Sequence, residues 1–131
     1  MPRKIALLTP FAFPSVRGNA VTAERIAAGL RARGVDLAVW DLSLTDETTV
    51  AREVEAFRPE LIHAFHAFRV GPLALRLARR LEVPLVVTLT GTDANHDLFD
   101  GERAPLTRRV LEGAGRVVAF HPSIAERVTA A

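Results

Sequence analysis

The sequence predicts an α/β domain: a doubly wound parallel sheet of about five strands, in the order 3-2-1-4-5, with helices on both faces. Three observations carry this. Short, continuously apolar runs recur along the 131 residues without strong alternation, as strands buried on both faces require. Segments of helical periodicity separate one run from the next. Strict alternation of strand and helix, short connections and right-handed crossovers leave few topologies, of which this order is the most economical.

The elements follow in sequence. The first strand is Ile5-Ala6-Leu7-Leu8, and further strands are predicted at 35–40, 61–65, 85–89 and 117–120. Helix one places Ala23, Ile26, Ala27 and Leu30 on one face and Glu24, Arg25, Arg31 and Arg33 on the other, with Asn19 as N-cap and Gly34 as stop. Helix two carries Val50, Val54 and Phe57, capped by Thr45 or Asp46 and ended by Pro59. Helix three starts at Gly71-Pro72, buries Leu73, Leu77 and Leu81, exposes Arg76, Arg79 and Arg80, and stops before Pro84. Helix four carries Leu106, Val110 and Leu111 as its apolar positions and ends at Gly113 to Gly115, and a fifth begins at Pro122-Ser123.

Composition narrows the function classes. A hydrophobic fraction of 49% with 24% charged residues describes one globular domain over residues 1–131, without repeat, linker or bilayer-length apolar run. There is no cysteine, so disulfides and thiolate metal sites are excluded, and without a secretory leader pattern the expected compartment is cytoplasmic. The pI of 10.3 suggests a nucleic-acid binder. However, net charge is only +2, and the high pI reflects the absence of Tyr and Cys and an arginine-dominated set of bases. No nucleic-acid partner is expected.

In an open parallel sheet, ligands bind outside the carboxyl ends of the strands where the order reverses, here between the first and fourth strands. The loop after the first strand is long and ends Arg17-Gly18-Asn19 at a helix start, where free N–H groups and a guanidinium suit a phosphate or carboxylate. Gly18 can equally serve a tight turn and Asn19 a cap. The loop after the fourth strand, Thr90-Gly91-Thr92-Asp93-Ala94-Asn95-His96-Asp97, is dense in groups able to grip sugar hydroxyls or transfer protons, although these are also common turn formers. His63 and His66 close the third strand, one expected to be buried and the other at the cleft mouth. No ligand spacing supports a metal site. There is no Gly-x-Gly-x-x-Gly, Walker loop, receiver-type Asp/Lys pair or Gly-x-Ser-x-Gly elbow.

Taken together, Lys4 to Pro10, Arg17-Gly18-Asn19, Leu30 to Val35, Pro59 to Ala64, Val83 to Thr88, Thr90-Gly91-Thr92-Asp93 and Ala114 to Ala119 resemble the N-terminal Rossmann-like domain of GT-B glycosyltransferases similar to glycosyltransferase family 4. The resemblance implies the acceptor-side half of a retaining, nucleotide-sugar-dependent hexosyltransferase. The donor is a substrate and no cofactor is held tightly. Arg17, Gly18 and Asn19 would then face the donor phosphate, and His66, Thr90, Thr92 and Asn95 the acceptor. The family's histidine after the fourth strand is Thr90 here, which leaves Asp93 and His96 as catalytic candidates. The expected partners are a C-terminal donor-binding domain and a sugar or small-molecule acceptor. A bare interdomain face would favour a homodimer, and the chain alone is expected to be inactive. A stand-alone binding module, a subunit of a split transferase and half of a sugar-nucleotide epimerase are the alternatives.

Overall fold

The structure, a computed structural model, describes residues 4–10, 18–89, 97, 100–119, 126 and 129. Strands β1 (Lys4–Thr9), β2 (Asp36–Asp41), β3 (Leu61–Phe65), β4 (Leu85–Thr88) and β5 (Arg116–Val118) alternate with helices α1 (Gly18–Ala32), α2 (Glu47–Phe57), α3 (Gly71–Leu81) and α4 (Ala104–Gly113). Every strand pairing is parallel. The doubly wound, Rossmann-like class expected from the sequence is present. Of the expected fifth helix, residues 126 and 129 are helical.

The strand order differs from expectation. It runs β2-β1-β3-β4-β5, so β3 rather than β2 is interior, and the reversal falls between β1 and β3. The residues explain why. Ile62, Ala64 and Phe65 of β3 have no exposed surface, whereas β2 is bounded by Asp36 and Asp41 and shields fully only Leu37. An edge position for β3 would uncover Phe65 at roughly 1.5–3 kcal/mol. The more polar strand therefore takes the edge.

Both faces of the sheet are covered. On one, Ile5 and Leu7 pack with Ala23 and Ala27 of α1. On the other, Ala6, Leu8, Ile62, Ala64 and Val87 pack with α2, α3 and Val110 of α4. Helix ends follow local chemistry. Gly34, at φ 86, lets the Val35 N–H reach the Leu30 carbonyl and close α1. The Asp46 carboxylate accepts the Thr49 N–H at 2.8 Å and caps α2, which holds its pKa below the ordinary carboxylate value. Helices α2 and α3 end on Arg58 and Glu82, both left-handed at φ 53 and 56.

Three local expectations are corrected. Asn19 lies inside α1, which already starts at Gly18, so it is not the residue before the helix. Leu106 is 39% exposed because Val110 and Thr107 fill the inward stripe of α4. Val117 and Val118 are also about two-fifths exposed, at 40% and 38%, since β5 ends the sheet and, among the described strands, pairs with β4 alone. The approach of α3 to α4 is close. A Cβ at Gly71 would run into the Val110 side chain, and one at Gly113 would stand 2.7 Å from Leu75 Cδ1.

Candidate functional site

Because all strands run the same way, their carboxyl ends share one edge. The crevice opens where β1 and β3 diverge in winding direction. Strands β1 and β4 end on the same edge two strand spacings apart, about 10 Å, with β3 and the β3–α3 turn between them. The expectation that β1 and β4 are direct neighbours is thus corrected by the interposed β3.

A cavity of about 310 Å³ lies at this edge on the α2 and α3 side. Pro10, Leu42 and Val70 give it an apolar floor, and Ser43, Thr45, Asp46, Glu47 and Arg69 give it a polar rim. The β2–α2 loop builds the rim through its own bonds. Asp41 accepts from the Ser43 N–H at 2.8 Å and from the Ser43 hydroxyl at 2.5 Å, and Asp46 Oδ1 is engaged as the α2 cap. The Arg69 side chain forms no ion pair among the described residues. One guanidinium, two carboxylates and two hydroxyls around an apolar floor offer both donors and acceptors to a polyhydroxylated ligand.

Behind the cavity, the β3–α3 turn is held by His66. Its φ of 84 is rare for a side-chain-bearing residue and stores roughly 1–3 kcal/mol of strain. Its carbonyl accepts from the Val70 and Gly71 N–H groups, and its N–H donates to Thr88 at 3.1 Å. Ring atom Nδ1 accepts the Arg69 N–H at 2.9 Å, which assigns the proton of a neutral ring to Nε2. That atom faces Asp97 Oδ2 at 3.6 Å. Asp97 is fully buried, and its Oδ1 accepts from Arg103 at 2.9 Å. The Arg103 guanidinium also lies 4.8 Å from the Phe68 ring centroid. This chain of contacts ties the segment approaching α4 to the β3 turn. His66 is only 2% exposed, so it positions its neighbours from within.

His63 lies three residues earlier, within β3, and is partly buried. It shares a 2.7 Å hydrogen bond with the Thr88 hydroxyl and stacks on Phe65 at 5.0 Å between ring centroids. Burial pushes its pKa down to about 4, which keeps it neutral at pH 7.

Among the other expected site residues, Gly18 and Asn19 begin α1 at the carboxyl edge. Arg17, Thr90, Thr92, Asp93, Asn95 and His96 lie outside the described residues. Among the described residues, no cluster of three or more acidic or histidine side chains could hold a metal, and no helix is long and apolar enough to cross a membrane. Sequence reasoning did not single out Arg69, Arg103 or the β2–α2 loop. The available signals were the Asp41-to-Asp46 turn chemistry and the Asp100-Gly101-Glu102-Arg103 turn before Pro105, whose Asp100 accepts the Glu102 and Arg103 N–H groups.

The family model described as "Glycosyl transferase 4-like domain" matches residues 38–131, most of the chain. The chain belongs to this family. Among solved structures, this glycosyl transferase 4-like domain is similar to a UDP-rhamnose synthase from Acanthamoeba polyphaga mimivirus, with a TM-score of 0.54 and 11% identity. The match covers 89% of this chain and 55% of that one, so the domain spans about half the length of its structural neighbour. At that identity the likeness concerns the fold alone.

Proposed function

We propose that this domain is the acceptor-holding wall of a retaining, nucleotide-sugar-dependent glycosyltransferase. The observation that carries the reading is the mixed polar cavity at the sheet's carboxyl edge in a chain of the glycosyl transferase 4-like family. Arg69, Glu47 and Thr45 would hold acceptor hydroxyls over the apolar floor. The Arg17-Gly18-Asn19 loop would meet the donor phosphate, and Thr90, Thr92 and Asn95 would complete the acceptor side. Asp93 and His96 are the proposed proton-handling groups. His66 acts as a positioning residue through Asp97 and Arg103, because its ring is buried. Transfer needs the donor phosphate and the acceptor hydroxyl held face to face, a task shared with a second, donor-binding domain. The domain alone therefore binds acceptor without turnover. The synthase chemistry of the structural neighbour is not carried over.

The test is saturation-transfer NMR of the domain with glucose, galactose, mannose and N-acetylglucosamine, comparing the wild type with Arg69→Ala. Saturable binding of at least one sugar that Arg69→Ala weakens is the expected result. Binding of none, or binding indifferent to Arg69, refutes the placement of the acceptor in this cavity.

A further inference from the structure

A second cavity, of about 300 Å³, lies in the groove between α3 and α4 and shares no lining residue with the carboxyl-edge site. Its floor is aliphatic, made by Pro72, Leu75, Leu106 and Val110, and its rim carries Arg76, Arg79 and Arg109. The groove follows from helix packing. Val110 is drawn in against Gly71 and Leu75 against Gly113, while Leu106 stays at the surface.

The charge there is concentrated. Helix α3 carries Arg76, Arg79 and Arg80 and no carboxylate, and α4 carries Arg108 and Arg109 against Glu112 alone. The whole chain has a net charge of only +2, so this excess is local. Two of these arginines are engaged by α2. Arg80 meets Glu55 at 2.8 Å, and Arg76 meets Glu47 at 3.4 Å, with both Arg76 and Glu47 about two-thirds exposed at 65% and 64%. Such an exposed pair is weak and readily exchanged. Arg79 and Arg109 hold no carboxylate among the described residues.

We infer that this groove docks an acidic peptide segment of a partner protein, one that presents an aliphatic side chain between two carboxylates. Guanidinium forks match carboxylates in shape as well as charge. The aliphatic floor accepts a leucine-like anchor and, among the described residues that line it, offers no aromatic ring on which a nucleobase could stack. The arginines surround a concavity rather than standing on a flat face, which favours an inserted segment over a membrane surface.

The test titrates the ¹⁵N-labelled full chain with the capped peptide Asp-Glu-Leu-Asp-Glu-Leu, with its Asn/Gln counterpart, with its Leu-to-Ser counterpart, with phosphatidylglycerol vesicles and with polyuridylate. The expected result is saturable shifts confined to residues 72–80 and 104–113 for the acidic leucine peptide alone. Affinity should fall at least about tenfold in Arg79→Glu/Arg109→Glu, with spectral dispersion showing the fold retained. Leu106→Ser should weaken the same peptide. The inference is overturned by absence of saturable binding, by shifts elsewhere, by equal affinity in the double variant, or by vesicles or polyuridylate outcompeting the peptide at these arginines.

Discussion

Acidification from pH 7 to pH 5 should cost this fold about 2 kcal/mol through His63 alone. In the folded chain burial holds its pKa at about 4, against 6.5 for an exposed histidine. The folded state thus binds fewer protons than the unfolded state between these values, so stability rises with pH across that window and is lost as pH falls through it. The full penalty, reached below pH 4, is about 3 kcal/mol, since each pH unit separating the folded and unfolded midpoints is worth about 1.4 kcal/mol. Carboxylates and other histidines titrate in the same range, so a paired comparison is needed. His63→Gln keeps a hydrogen-bonding group beside Thr88 but cannot be protonated. Urea unfolding of both proteins at half-unit steps from pH 4.5 to 7.5 gives the difference directly. The wild type should lose about 2 kcal/mol more than the variant between pH 7 and 5. Parallel curves, or a His63 NMR titration midpoint above 6, would refute the argument that burial dominates its environment.

Two further outcomes follow from packing and charge. Gly71→Ala should destabilise the domain by about 1–3 kcal/mol because the new methyl meets Val110, and Val110→Ala in the same chain should recover part of the loss, both read by thermal denaturation. Arg103→Ala should cost about 3 kcal/mol in chemical denaturation by leaving the buried Asp97 carboxylate with His66 as its remaining partner among the described residues, and hydrogen exchange should rise at the β3–α3 turn.

The parts of the fold that a local pattern encodes were legible in the sequence. Apolar runs such as Ile5 to Leu8, and stripes such as Val50 and Val54, mark strands and helices because a covered parallel sheet demands them. The strand order was not legible to the same degree, since runs 35–40 and 61–65 are similarly apolar. What separates them is the pair Asp36 and Asp41 at the ends of β2, whose meaning depends on which strand has two neighbours. At the site, the polar density of residues 90–97 stood out because consecutive side chains announce it. The Arg69 rim and the His66, Asp97 and Arg103 contacts did not, because β3, β4 and α4 must first be brought together before those atoms meet. Likewise, the exposure of Leu106 turns on Gly71, more than thirty residues away in the chain.

The terminations of α2 and α3 have a practical consequence. Arg58 and Glu82 each hold a backbone geometry that chirality disfavours by roughly 1–2 kcal/mol, and neither side chain is buried. Both positions are open to glycine without disturbing core or cavity, so the scaffold carries two ready points at which an engineer can harden it against heat while leaving its binding surfaces as they stand.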